Sequence, residues 1–187
     1  MKEYIIIAGV NGTGKTSFRG VLEGQGENLG RIIDPDLIAR SCGHNEIAAG
    51  KAALREIRDC LEKGLTFTQE TTLSGFQVLH TMKAAKALGY RVTMYYIGLN
   101  SQYESIYRIA GRVRKGGHDI PPEDVKRRFE KRFISLERAV KYCDKVVFYD
   151  NENGFVKVAE ITGNGFAFTN GYRPDWISEY EKIYRSR

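Results

Sequence analysis

The apolar residues of the chain alternate between short continuous runs and stretches with a helical spacing. The runs are rich in β-branched and aromatic residues, which is typical of buried strands. They cover residues 4–8, 31–33, 65–69, 91–99 and 145–149. Because helical stretches separate these strands, the pattern predicts an α/β fold with a mostly parallel sheet of about five strands flanked by helices.

The helical stretches carry their own start and stop signals. In the first long helix, expected to end near Gly64, the inward face is predicted to carry Ile47, Leu54, Ile57 and Leu61. Ser74 is expected to cap the next helix, whose inward residues are predicted to be Val78, Met82, Ala85 and Leu88. Near the C-terminus, residues 155–168 predict a β-hairpin around the turn at 163–165, and residues 174–187 predict a final helix.

Length and composition are those of one globular domain spanning residues 1–187. No run approaches 18 consecutive apolar residues, so we expect no membrane span, and the N-terminus lacks a secretory pattern. Cys42, Cys60 and Cys143 are odd in number and widely spaced, which predicts neither a disulfide framework nor a zinc site. We therefore expect a cytoplasmic protein.

The segment from Gly9 to Thr16 matches G-x-x-x-x-G-K-[ST], the phosphate-binding loop (P-loop) of nucleotide-binding proteins. Its glycines let backbone N–H groups converge on a polyphosphate, and the helix that follows presents its positive dipole end. Lys15 is expected to reach the β- and γ-phosphates of ATP, and the Thr16 hydroxyl to bind Mg²⁺. The predicted ATP-binding residues of this segment are Gly9, Asn11, Gly12, Thr13, Gly14, Lys15, Thr16 and Ser17.

Acidic and hydroxyl residues follow two other predicted strands. Asp34 precedes Pro35 in a helix-start pattern, which places Asp36 in the first helical turn. Glu70 and Thr72 follow the third strand. Ligands of open α/β sheets bind at the carboxyl ends of the strands, so these side chains are candidates for contacting a ligand there. From position alone, Asp36 is equally suited to complementing the helix dipole.

Most of the net charge of +6 lies between Arg108 and Arg132, a segment that contains nine basic and four acidic residues. Residues 115–122 are glycine-rich and then proline-rich, which suits a mobile lid followed by a helix. Most of these basic residues are expected to form a solvated helix face. Arg108 and Arg112 are the exceptions, because they lie four apart on one helix face beside the glycine-rich segment.

Taken together, these motifs resemble the zeta-toxin-like P-loop kinases, which transfer the γ-phosphate of ATP to UDP-N-acetylglucosamine. The matching segments are 8–16, 34–39, 70–75, 116–121 and 149–151. The resemblance implies that Asp36 is the catalytic base, that Glu70 and Thr72 contact the sugar nucleotide, and that Arg108 is a lid arginine on the phosphates. It also implies that Asn151 serves the ATP site. A small nucleotide-sugar acceptor, Mg²⁺ with ATP, and an antitoxin protein as partner are implied in the same way.

Several other functions can be compared with the same residues. A kinase of another small metabolite, such as a nucleoside, a dinucleotide or an antibiotic, fits the same P-loop, and Arg112, Arg114 or His118 could supply a second lid arginine or its substitute. Residues 73–77 echo an ABC-ATPase signature, but the next strand ends without the Asp-Glu pair of that class. Nucleic-acid binding is not expected, because the basic segment lacks interleaved stacking aromatics. An inactive interaction protein is disfavoured by the intact Lys15, Asp36 and Glu70.

Overall fold

The computed structural model describes residues 1–41, 45–117 and 119–186, which form a seven-stranded sheet covered by helices. The strands are β1 Glu3–Ala8, β2 Arg31–Ile33, β3 Phe67–Thr71, β4 Arg91–Gly98, β5 Lys145–Asp150, β6 Val156–Thr162 and β7 Gly165–Phe168. The helices are α1 Lys15–Gly24, α2 Pro35–Ser41, α3 Glu46–Lys63, α4 Gln77–Ala87, α5 Gln102–Val113, α6 Pro122–Glu130, α7 Arg132–Val140 and α8 Asp175–Arg185.

The order of the strands across the sheet is β2-β3-β1-β4-β5-β6-β7, and the five strands β1 to β5 are parallel. β1 lies between β3 and β4, with Ile6 opposite Gln69 on one side and Met94 on the other. Because the parallel strands share one direction, their carboxyl ends meet at one edge of the sheet. That edge carries the loop after β1, the start of α2, the end of β3 and the residues that follow β5.

The C-terminal hairpin extends the sheet beyond the predicted number of about five strands. β6 pairs antiparallel with β5, placing Ala159 opposite Phe148, and β7 pairs antiparallel with β6. The hairpin and the terminal helix were both predicted, but the sequence does not show that the hairpin joins the main sheet. β6 and β7 therefore join the sheet because β6 pairs with β5, which a local pattern does not encode.

Alternate residues of β1 pack into two separate cores on the opposite faces of the sheet. Tyr4 and Ile6 belong to the larger core, which also holds side chains of α3, α4, α7 and α8. Ile5 and Ile7 belong to a smaller core with Phe18 and other residues of α1. This alternation is the period of a strand buried on both faces, and it confirms the α/β prediction. Within the described residues, no helix combines the length and apolar character needed to cross a membrane.

Three details of the predicted helices are wrong. Ser74 does not cap α4, which begins at Gln77; the Ser74 hydroxyl instead lies 2.7 Å from the Thr72 hydroxyl. Ile47, in the first turn of α3, is 74% exposed, and Leu88, just after the end of α4, is 49% exposed, so neither faces the core. Finally, the long helix expected after Pro122 is divided into α6 and α7 at Lys131.

Candidate active site

The P-loop connects β1 to α1 and is closely packed between neighbouring elements. Gly12 and Gly14 have φ angles of 80° and 89°, in the left-handed region that favours glycine. A Cβ atom at Gly12 would lie 2.6 Å from the Ser105 carbonyl oxygen of α5, and one at Gly14 would lie 2.6 Å from Nδ2 of Asn151. Any larger residue would therefore push the loop away from α5 and from the end of β5.

Asn151 holds the P-loop from the end of β5. Its Nδ2 donates a hydrogen bond to the Thr13 carbonyl at 2.8 Å. Thr13 is fully buried, and its hydroxyl donates to the Val10 carbonyl at 3.0 Å. Both residues are predicted ATP-site residues, and in the structure they shape the loop from below. Both bonds are accepted by loop carbonyl groups. The backbone N–H groups at the start of α1 therefore remain available to donate to an anion.

The Lys15 ammonium group lies over the P-loop. Nζ donates to the carbonyl oxygens of Gly9 at 3.0 Å and Val10 at 3.1 Å. A phosphate oxygen is a stronger acceptor for an ammonium group than a neutral carbonyl is. Lys15 is thus placed where a bound polyphosphate would take over its hydrogen bonds.

A buried carboxylate links the start of α1 to the end of β3. Glu70, which is 6% exposed, accepts a hydrogen bond from the Thr16 hydroxyl at 2.9 Å and another from Nη1 of Arg19 at 2.8 Å. Burial, followed by the nearby charge of Asp34, raises the pKa of the Glu70 carboxyl, while the bond from Thr16 and the charge of Arg19 oppose that rise. The result is an acid held beside the residue that is predicted to bind Mg²⁺.

Arg19 is a site residue that the sequence did not reveal. The same Nη1 atom that binds Glu70 also lies 3.5 Å from Oδ2 of Asp34, so one guanidinium group joins the ends of β2 and β3. A weak signal was present, because Arg19 follows Thr16 by three residues and therefore shares its helix face. Its partners on other elements could not be read from that spacing.

The two aspartates after β2 have separate positions. Oδ1 of Asp34 accepts a hydrogen bond from the Leu37 backbone N–H at 3.2 Å, which confirms the predicted helix cap. Asp36 falls in the first turn of α2, and its side chain lies outside what the structure describes. Its role as catalytic base therefore stays a prediction.

The predicted lid arginines lie on α5, above the P-loop. Arg108 donates from Nε to Glu104 at 2.7 Å and from Nη2 to the Glu152 carbonyl at 3.2 Å, which ties α5 to the turn after β5. Arg112 lies one turn later. Of the predicted lid at 115–122, His118 lies outside the described residues.

Two cavities open at this edge of the sheet. The first, which we call the P-loop cavity, has a volume of about 800 Å³. Its lining is mostly basic residues and glycines: Asn11, Gly12, Gly14, Lys15, Thr16, Ser17, Glu70, Tyr107, Arg108, Ile109, Gly111, Arg112, Arg114, Lys115, Gly116, Gly117 and Asn151.

The second, which we call the sheet-edge cavity, has a volume of about 530 Å³. Its lining is richer in acidic and polar groups: Asn11, Lys15, Asp34, Pro35, Ala39, Ala49, Gly50, Gln69, Glu70, Thr71, Thr72, Asp119, Ile120, Pro121, Asp124 and Arg128. Asn11, Lys15 and Glu70 border both cavities, so the two spaces meet at the P-loop.

Arg128 is the second site residue that the sequence did not single out. It lies on α6, and its Nη1 donates to Oδ1 of Asn11 at 2.7 Å. The sequence predicted a solvated helix face for most basic residues of this segment, Arg128 included. No local pattern indicated that the P-loop lies beside the flank of α6.

Comparison with known proteins identifies relatives in sequence and in structure. No protein-family model matches the chain. An uncharacterised protein of Haemophilus influenzae is 33% identical over 130 residues, which cover 67% of this chain and 91% of that protein.

Three solved structures share the fold at low sequence identity. A chain of the AvrRxo1-ORF1:-ORF2 complex with ATP has a TM-score of 0.70 and 18% identity over 98% of this chain, which spans only 63% of that one. A structure from the PezAT toxin–antitoxin system of Streptococcus pneumoniae has a TM-score of 0.64 and 16% identity, covering 100% of this chain and 85% of the other. A putative kinase of Chloroflexus aurantiacus has a TM-score of 0.53 and 16% identity over 67% of this chain and 76% of its own. The chain therefore belongs to the same family as the Haemophilus influenzae protein, and it shares the fold of these three solved structures.

Proposed function

We propose that the protein is an ATP-dependent kinase that transfers the γ-phosphate to an alcohol group of a small molecule. The observation that carries this proposal is the meeting of two cavities at Asn11, Lys15 and Glu70. A hydrolase needs room only for a nucleotide and a water molecule. A second cavity next to the P-loop lysine offers space for an acceptor within reach of the γ-phosphate.

The P-loop cavity suits the triphosphate of ATP. Lys15 and four further basic residues of its lining surround a single acidic one, Glu70, so the cavity favours a polyanion; the four are Arg108, Arg112, Arg114 and Lys115. The left-handed glycines and the start of α1 supply backbone donors at the same place. In this arrangement, Lys15 and the arginines of α5 stabilise the charge that is spread over the transferred phosphoryl group.

The residues beside Thr16 fit a magnesium ion. Mg²⁺ prefers hard oxygen ligands and usually keeps several water molecules, so one or two protein oxygens and the phosphates of ATP suffice. The Thr16 hydroxyl and the Glu70 carboxylate supply such oxygens 2.9 Å apart. When bound, the ion neutralises the charge of the β- and γ-phosphates. Thr16 would hold it directly, and Glu70 would orient Thr16.

The sheet-edge cavity suits an acceptor with several hydroxyl groups. Asp34, Glu70, Gln69 and Thr72 line it with side-chain oxygens, which accept hydrogen bonds from sugar hydroxyls. Its volume of about 530 Å³ is within the range of small-molecule sites. The resemblance of the motifs supports UDP-N-acetylglucosamine as the acceptor. The likeness to a structure from a toxin–antitoxin system supports a role as the toxin of such a pair, with a protein antitoxin as partner.

Asp36 is the proposed general base. The acceptor hydroxyl loses its proton as its oxygen bonds to the γ-phosphorus and the bond to ADP breaks. A carboxylate at the start of α2 can accept that proton, whereas Lys15 and the arginines cannot. Asp34 is less suited, because its Oδ1 caps α2 and its Oδ2 faces Arg19.

The acceptor can be identified directly. The purified protein is incubated with Mg·ATP and a panel of nucleotide sugars, nucleosides, dinucleotides and antibiotics, and the products are read by mass spectrometry. We expect UDP-N-acetylglucosamine to gain one phosphate. Phosphorylation of another compound would show that the proposed acceptor is wrong but would support the kinase activity. ATP hydrolysis without transfer to any compound would contradict the proposal.

A further inference from the structure

Arg128 reaches the P-loop because of how α6 packs. Val125 of α6 is buried with Ile109 of α5 and Ile120 in one small apolar cluster, which anchors α6 against α5. This docking brings the flank of α6 to the P-loop, where Arg128 donates to Oδ1 of Asn11 at 2.7 Å. The contact joins residues 117 positions apart, and Asn11 is 8% exposed.

The neighbouring arginines of this region have different partners. Arg127 pairs with Asp124 at 2.7 Å on the same helix, and its side chain is 58% exposed. Arg132 pairs with Glu179 at 2.8 Å, and its guanidinium lies 4.2 Å from the centre of the Phe129 ring. Arg128 instead donates to a neutral amide oxygen. An anionic phosphoryl oxygen is a stronger acceptor for a guanidinium group, and Arg presents several donors to it at once.

Arg128 lies beside the place where the two cavities meet. Arg128 and Lys15 both line the sheet-edge cavity, while Lys15 and Asn11 also line the P-loop cavity. A phosphoryl group passing from the nucleotide to an acceptor must cross the boundary that these three residues form. With ATP in the P-loop cavity, a guanidinium at that boundary would face the γ-phosphate from the acceptor side, whereas Arg108 and Arg112 of α5 line the nucleotide side.

We infer that Arg128 is a further catalytic residue, whose guanidinium exchanges Asn11 for the oxygens of the γ-phosphoryl group when ATP is bound. The inference rests on the proposed kinase function. Arg128 gives no atom to the product, because its role is to stabilise charge on the transferred group. Since ADP has no γ-phosphate, Arg128 should distinguish ATP from ADP.

Calorimetry tests this distinction without knowledge of the acceptor. The affinities of Mg·ADP and of the Mg²⁺ complex of β,γ-imido-ATP are measured for the wild type, Arg128→Ala and Arg128→Lys. Arg127→Ala is the matched control, because Arg127 is adjacent and basic but exposed. We expect Arg128→Ala to weaken binding of the imido-ATP about 10- to 100-fold, the effect of losing charge-assisted hydrogen bonds, and to leave ADP affinity unchanged. Arg128→Lys should restore part of the loss, and Arg127→Ala should change neither affinity.

Each contrary result has a separate meaning. An equal loss for both nucleotides would show that Arg128 only holds the P-loop through Asn11, and unchanged imido-ATP affinity would show that it does not contact the γ-phosphate. Either outcome overturns the inference and leaves the kinase proposal standing. A wild type that binds neither nucleotide would overturn both. Thermal melting checks folding, and if Arg128→Ala does not fold, the comparison of Arg128→Lys with the wild type decides the matter.

Discussion

The Thr16 hydroxyl donates to the Glu70 carboxylate across 2.9 Å, and this bond links the P-loop to the end of β3. Glu70 was predicted to serve the acceptor rather than ATP. In the structure, it borders both cavities and contacts the residue expected to bind Mg²⁺. Arg19 fixes the other carboxylate oxygen at 2.8 Å. We therefore expect Glu70 to orient Thr16 as well as to contact the acceptor.

Glu70→Gln should increase the Mg²⁺ concentration needed for tight ATP binding. The amide keeps the shape of the side chain but removes the charge that orients Thr16, and loss of such a partner typically weakens metal affinity about 10- to 100-fold. The measurement is a Mg²⁺ titration at fixed ATP, read by calorimetry. Glu23→Gln is the control, because Glu23 contacts Arg19 at 3.7 Å from the solvent side and is 53% exposed. Equal Mg²⁺ dependence in both variants would argue that Glu70 serves the acceptor alone.

Lys15→Ala should abolish the thermal stabilisation of the protein by Mg·ATP. Binding to the native state at 100 times the Kd adds about 2.7 kcal/mol, which raises the Tm by roughly 5–10 °C for a chain of this size. The variant loses the ammonium group that lies over the P-loop. Differential scanning fluorimetry with and without Mg·ATP measures the shift, and Lys182→Ala, at an exposed position of α8, is the control. A normal shift in Lys15→Ala would contradict the assignment of the ATP site.

Asp36→Asn should keep the affinity for ATP and acceptor but reduce kcat by about 10²- to 10⁴-fold, the usual contribution of a general base. Steady-state kinetics with the acceptor identified by mass spectrometry supply the test. Glu27→Gln, which changes an exposed acid after α1, is the control for a loss of negative charge alone. Turnover near the wild-type rate would transfer the role of base to another residue, with Glu70 the next candidate.

Asn151→Ala should lower the free energy of unfolding by about 1 kcal/mol, the typical contribution of one hydrogen bond, and should weaken ATP binding as well. The reason is that the Asn151 amide holds the Thr13 carbonyl at 2.8 Å and so sets the shape of the P-loop. Urea denaturation and ATP calorimetry measure the two effects. Asn153→Ala, two residues further along the same turn and exposed, should change neither. A stability loss with unchanged ATP affinity would limit Asn151 to a structural role.

Cys143 should resist alkylation in the native protein at pH 8. Burial raises the pKa of its thiol to about 12, so almost no thiolate is present at that pH. Burial also raises the pKa of the Cys60 thiol. Iodoacetamide labelling followed by peptide mass spectrometry should find both cysteines unmodified until urea unfolds the chain. Rapid labelling of Cys143 without denaturant would show that the core around α7 opens readily.

The amino-acid sequence by itself determined the P-loop, the strands β1 to β5 and the α/β class. These features depend on local chemistry, since left-handed glycines, buried apolar runs and the Asp34 cap each act within a few residues. The order of the motifs along the chain also led to the fold that the three solved structures share. The same local signals misplaced Ser74 as a cap, because its hydroxyl pairs with Thr72 instead.

Only the tertiary structure decided which side chains meet at the site. Arg19 reaches Glu70 across 51 residues, and Arg128 reaches Asn11 across 117. Neither pair has a sequence spacing that predicts it, because each contact depends on how two separate elements dock on the sheet. The same holds for β6 and β7, which join the main sheet because β6 pairs with β5. Local patterns specify the elements, whereas the packing of apolar faces between distant elements sets the distances on which the chemistry depends.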